Sequence, residues 1–128
     1  MFDEPIEHPP EYEDYFRLFN ERDFFEAHEV LEDLWVMEVG YLRNYYKGLI
    51  MMAVAILHWQ RGNRRGSLRL YHDSMDYLIE YPEKIEGFHL DDFRHRMKDL
   101  FRPLTLAPKE ADPPEDSEIP LLEIEPAA

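Results

Sequence analysis

Between Pro10 and Pro103 the apolar positions recur at a helical interval, and no stretch alternates convincingly at the two-residue interval of a strand. Five segments follow from this spacing. The first covers Glu11 to Phe19, where Tyr12, Tyr15, Phe16 and Phe19 fall at i, i+3, i+4 and i+7 behind the Pro9-Pro10 pair. The second starts at an Asp23 N-cap, with Glu26 three residues on to complete a capping box, and ends near Met37, ahead of Gly40. The third spans Leu42 to Arg61 and stops at Gly62. From Gly48 to Trp59 its only polar side chain is His58, so it is expected to be the central, buried helix. The fourth, Arg65 to Glu80, presents Leu68, Tyr71, Met75, Leu78 and Ile79 on one face and stops at Tyr81-Pro82. The fifth starts at Asp91, presents Phe93, Met97, Leu100 and Phe101, and is closed by Pro103. The pattern predicts an all-α fold, a compact bundle of about five helices over residues 11–102, flanked by extended acidic termini at 1–10 and 103–128.

Composition agrees with one small domain: 128 residues, 45% hydrophobic, with eight Tyr, eight Phe and two Trp for a single core. Charge adds a direction. The net charge of −14 is concentrated at the ends, with six acids and no base in residues 1–14 and seven acids against Lys109 alone in 103–128. Acidic ends repel phosphate backbones and anionic membrane surfaces, so neither nucleic acid nor a membrane is an expected partner. The longest apolar run, Leu49 to Leu57, is too short to cross a bilayer. The absence of Cys excludes a disulfide framework, Cys-ligated zinc and a thiol nucleophile. Together with acids where a signal peptide would carry bases, it leads to the expectation of a cytoplasmic protein. The Pro-rich acidic tail reads as extended and largely disordered, unless its apolar cluster from Ile119 to Ile124 docks on a partner or a second subunit.

The densest chemistry lies in the second helix. Phe24, Ala27, Leu31, Leu34 and Trp35 make an apolar stripe, and His28 and Glu32 lie together on its flank at i and i+4. One metal ion fits between an imidazole and a carboxylate at that spacing. The layout is that of H-E-x-x-H with Glu replacing the second His, which puts Glu29 where a general base would be, although it projects nearly opposite the apolar stripe. A hydrogen-bonded His28–Glu32 pair, with Glu26 engaged in capping, accounts for the same residues without metal. In an antiparallel helix pair His28 is level with about residues 51–53, leaving His58 roughly 10 Å further along. His72 and Asp76 form a second i, i+4 pair, explained equally by an exposed ion pair. Ser67, Ser74 and Ser117 lack a nucleophile context, and the turn from Arg61 to Gly66 offers three Arg to a small anion or serves as two helix caps.

Phe25-Glu26-Ala27-His28-Glu29, Leu31-Glu32 and Trp35, followed by Gly48-Leu49-Ile50, Ala53-Val54-Ala55, His58, Gln60-Arg61-Gly62-Asn63 and Gly66, resemble the family called domain of unknown function 309. The resemblance covers about residues 15–100. It implies a small helical bundle of a kind found mainly in bacteria and archaea and described as a predicted metal-dependent hydrolase. It also implies weight on Glu26, His28, Glu29 and Glu32 in the first motif and on His58 in the second, with Trp35, Arg61 and Asn63 as further motif residues. Lys47 departs from the family pattern, in which Gln is more usual, and a cation there disfavours a metal if the site lies near the start of the third helix. The reading that follows is a divalent metal (Zn, Mn or Fe) on His28, Glu32 and His58, with Glu29 acting on a water in hydrolysis of a small-molecule substrate. The alternative is a non-catalytic interaction or scaffold protein that dimerises through the same helix surface.

Overall fold

In a computed structural model, residues 7–127 are described. The expected extended acidic N-terminus falls outside them over its first six positions. Five helices carry the fold: α1 (Pro10–Asn20), α2 (Phe24–Met37), α3 (Arg43–Gln60), α4 (Arg64–Leu78) and α5 (Leu90–Leu106). Consecutive helices pack as neighbours from α1 through α5, as short connections require.

Local chemistry places the helix ends. Pro10 occupies the first helical position of α1, where its missing N–H costs nothing. The Asp23 carboxylate accepts from Glu26 N at 3.3 Å, but the reciprocal half of the expected capping box is absent, because Asp23 N already donates to the Leu18 carbonyl at 2.9 Å. At the end of α3, Gly62 takes φ of 83°, a left-handed conformation that closes the helix and leads directly into the Asn63 cap of α4.

The central position of α3 is clear from its burial: Tyr45, Leu49, Met52, Ala53, Ala55 and Ile56 are all fully buried. Around it, Phe19 meets Phe24 edge-on at 5.0 Å, and Tyr71 of α4 stacks on Phe101 of α5 at 4.4 Å. Polar tips are satisfied inside the core. The Tyr12 and Tyr45 hydroxyls lie 2.6 Å apart, and the Tyr15 hydroxyl donates to the Leu49 carbonyl at 2.6 Å.

Two helices differ from the sequence expectation. The buried face of α4 is Ser67, Tyr71, Ser74 and Leu78, while Leu68 and Met75 are only half-buried and Ile79 is exposed. The serines win that face because they are small and donate to α3 carbonyls, Ser67 to Ala55 at 2.5 Å and Ser74 to Gly48 at 2.6 Å. Helix α5 runs through Pro103 to Leu106, since in the last turn the ring removes only one backbone bond and Ala107 N still donates to Pro103 O at 2.9 Å.

A two-residue hairpin also interrupts the helices, β1 (Lys84–Ile85) pairing antiparallel with β2 (Phe88–His89). Its turn residues Glu86 and Gly87 have φ of 50° and 72°, the left-handed pair that a two-residue hairpin turn demands.

Beyond Leu106 the chain is largely irregular apart from a 3-10 turn at Asp116–Glu118, yet it runs as a strap over its own bundle. Ile119 and Leu122 are buried, Ile124 bridges to Phe88, and the Asn20 side chain holds both the N–H and the carbonyl of Leu122 at 2.7 and 2.8 Å. The tail that composition reads as largely disordered, or docked on a partner or second subunit, thus lies on its own bundle, with Ile119 and Leu122 buried there and Leu121 exposed. At the end of the strap, His8 Nε2 is 2.8 Å from the Glu125 carbonyl, and the Glu125 carboxylate meets Lys84 and His89.

Candidate functional site

On the motif helix α2, Glu32 and Trp35 border α3, and His28 lies one turn before Glu32. A shallow cleft of about 190 Å³ opens there, lined by Glu32, Trp35, Lys47, Ile50, Met51, Val54 and Leu70. Helical spacing brings Glu32 and Trp35 to one side, and the antiparallel course of α3 brings Lys47, Met51 and Val54 to the other. Two cations lie against the Trp35 ring, Arg43 at 4.2 Å and Lys47 at 4.5 Å from its centroid. Arg43 also donates to the Trp35 and Glu38 carbonyls at 3.0 and 2.8 Å, tying the end of α2 to the start of α3.

His28 Nδ1 lies 2.5 Å from the Phe25 carbonyl oxygen, which places a proton on Nδ1 and leaves Nε2 an acceptor in the neutral ring. Nε2 faces a Glu32 carboxylate oxygen across 3.7 Å. Two acceptors opposed in this way are complementary to a proton or a cation, and a backbone-tethered Nδ1 is how metal-binding imidazoles are commonly oriented.

A catalytic ion, however, needs about three protein ligands. Among the described residues no group of three His, Asp or Glu converges. His58 stands at the far end of α3, with Nδ1 3.5 Å from the Asn63 side-chain nitrogen, and joins no ligand group with His28 and Glu32. Glu26 and Glu29 are exposed, and neither borders the cleft. Arg61 and Asn63 serve as helix caps, the second accepting from Gly66 N at 2.9 Å. His72 and Asp76, the second i, i+4 pair, form no ion pair at 4.0 Å or closer and belong to no group of three ligands among the described residues. The donors among the described residues do not complete a metal centre, and Lys47 lines the cleft with Glu32. Lys47 was legible as a departure from the motif; that it borders the cleft depends on the register of α2 against α3, which spacing alone does not give.

The model of the family described as "Domain of unknown function (DUF309)" matches residues 12–70. Over that stretch the chain has the DUF309 pattern. "Uncharacterized protein YpuF" of Bacillus subtilis (strain 168) is 37% identical over 86 residues, which are 66% of this chain and 49% of that protein. An "Uncharacterized protein" of Aquifex aeolicus (strain VF5) is 27% identical over 83 residues, 64% of this chain and 25% of that protein. The chain thus spans about half the length of the first relative and a quarter of the second. No solved structure matches it.

The DUF309 segment comprises α1, α2, α3 and the first half of α4, so the cleft lies within it, while the hairpin, α5 and the strap lie outside. At one end this segment also carries an apolar rim that periodicity did not reveal. Val36 and Met37 close α2, Val39 and Tyr41 form the turn into α3, and Met37 and Val39 are 81% and 92% exposed. The Tyr41 ring meets Tyr81 at 5.1 Å, and the Tyr81 hydroxyl donates to the Tyr41 carbonyl at 2.8 Å, which brings exposed Ile79 to the same end. Helix α2 leads up to this rim with Glu26, Glu29, Glu32 and Asp33 exposed and with no Lys or Arg. No helix among the described residues is long and apolar enough to cross a membrane.

Proposed function

We propose that this chain is a protein-interaction domain, and that the outer face of α2 with the turn into α3 docks a basic, amphipathic segment of another protein. The observation that carries this reading is the exposed run Val36, Met37, Val39 and Tyr41 continuing an acidic helix face. Apolar residues rimmed by charge of one sign fit a partner that offers apolar anchors beside Lys or Arg. The charge also argues against pairing of two copies along α2, because four acids from each would face one another. Relatives that extend well beyond the shared stretch are consistent with a docking module.

An 18-residue peptide of alternating Leu and Lys turns, labelled for fluorescence anisotropy, tests this reading beside sedimentation of the chain alone. Met37→Glu adds negative charge and so strengthens unspecific attraction, but it removes an apolar anchor. Weaker binding by Met37→Glu together with a monomeric chain supports the docking surface. Binding unchanged or strengthened, or a dimer that Met37→Glu dissociates, overturns it.

A second reading, a metal-dependent hydrolase, is favoured by the His28–Glu32 pair alone, whose two opposed acceptors suit a cation. In that reading further ligands come from a second copy or from the substrate, and Glu29 or Glu32 acts on a water. Elemental analysis of the purified protein beside His28→Ala separates the two readings. One ion per chain, lost in the variant while peptide binding persists, assigns the α2 cleft to metal chemistry.

A further inference from the structure

On the outer side of α4, away from the α2 cleft, Arg65, Leu68, Arg69 and His72 face Pro108 and Lys109 across an open cleft of about 480 Å³. The spacing i, i+3, i+4 and i+7 gathers the four α4 residues on one stripe. The opposite wall is fixed from beneath. The Ala111 carbonyl accepts from Trp59 Nε1 at 3.1 Å and from Arg64 Nε at 2.8 Å, and Ala111 N donates back to Ala107 O at 3.0 Å, so the turn carrying Pro108 and Lys109 is tied to α3 and α4.

The charge in this cleft is the unusual feature. The chain has 28 acids for 14 Lys and Arg, so a cluster of bases with no acid lining the same cleft stands out. Neighbouring Arg64 does meet Asp112, and Arg17, Lys84, Arg96 and Arg102 all have carboxylate partners. Arg65, Arg69 and Lys109 make no ion pair or hydrogen bond among the described residues, yet all three line one cleft and no acid lines it with them. Leu68 and Pro108 add apolar surface to the same cleft.

We infer that this cleft binds a small amphiphilic anion, its oxyanion head held by Arg65, Arg69 and Lys109 and its short apolar body lying on Leu68 and Pro108. Guanidinium groups match the planar edge of a carboxylate or the oxygens of a phosphate, and the volume is that of an ordinary small-ligand site. A polyanion does not fit, since its remote charges meet the acidic remainder of the chain, whereas a single head group is shielded from charges more than about 8 Å away.

The test is NMR titration of the full chain with hexanoate and with hexyl phosphate, beside inorganic phosphate and hexylammonium. Saturable shifts confined to residues 64–73 and 107–111 are expected with one or both alkyl anions, and which of the two binds more tightly identifies the head group. Arg69→Glu is expected to weaken that binding at least tenfold, and Lys98→Glu, an equal charge change on α5, to leave it intact. Equal binding of hexylammonium, inorganic phosphate binding as tightly as the alkyl anions, equal weakening by Lys98→Glu, or no saturation by about 10 mM overturns the inference.

Discussion

The Ser74 hydroxyl on α4 donates across 2.6 Å to the Gly48 carbonyl on α3, and at that point the two helices leave no room for a side chain. A Cβ added at Gly48 would lie 2.5 Å from Leu78 Cδ2. Gly48→Ala is therefore expected to destabilise the protein by about 1–2 kcal/mol, overpacking outweighing the better helix propensity of Ala. Thermal unfolding followed by circular dichroism should show a midpoint lower by roughly 3–10 °C. An unchanged midpoint would mean that Leu78 moves aside freely and that Gly48 does not set the helix spacing.

The buried tyrosines make stability depend on alkaline pH. Burial pushes the Tyr12, Tyr15 and Tyr45 phenols well above their ordinary range, and burial with nearby Glu38 pushes Tyr46 up to about 12. Groups with a raised folded value stabilise fully below the unfolded value of about 10 and lose that contribution as the pH rises towards the folded one. Urea unfolding should give constant stability from about pH 7 to 9, then a fall approaching 1.4 kcal/mol per pH unit for each such tyrosine. Tyr15→Phe should make that fall shallower. A stability that stays flat to pH 11 would contradict the burial of these hydroxyls.

The strap contributes more than solubility. Ile119 is almost fully buried, and Ile119→Ala is expected to cost about 2–4 kcal/mol, read as a lower urea midpoint. Asn20→Ala removes both hydrogen bonds to Leu122 and should cost about 1–2 kcal/mol. Had the segment been free, both substitutions would leave the midpoint where it was.

Much of this architecture is readable from spacing, and the exceptions share a cause. Tyr12, Tyr15, Phe16 and Phe19 announce α1 because large apolar residues at helical intervals have one interpretation. Ser67 and Ser74 mislead because periodicity counts polarity, whereas α3 asks that face for small size and a donor. Glu86-Gly87 is not one of the usual hairpin pairs, and two-residue strands are too short to show alternation. The strap is acidic and Pro-rich, and composition cannot reveal that two or three of its side chains find pockets. At the site, the His28–Glu32 proximity follows from i, i+4 alone. The separation from His58 follows from helix rise, while the place of Lys47 in the cleft requires tertiary register.

That place leads to a further expectation. The Lys47 ammonium, over the Trp35 ring in the cleft that Glu32 also lines, opposes by its charge any cation offered to the His28–Glu32 pair. In the metal-dependent reading, Lys47→Gln should raise the affinity for Zn²⁺ measured by calorimetry, and Glu32→Gln should abolish it. Equal zinc affinity in the parent and Lys47→Gln would place any bound ion away from this cleft.

The contact between His8 and Glu125 joins positions 117 residues apart, whereas the helices meet their neighbours in sequence. Closing so long a loop carries an entropic cost that a preassembled surface offsets, so the helices are expected to fold first and the strap to settle last. The expected order reverses on opening. Hydrogen exchange should then show the strap leaving Phe88 and Asn20 while the helices stay folded, with the Leu122 and Ile124 amides exchanging well before those of the core around α3.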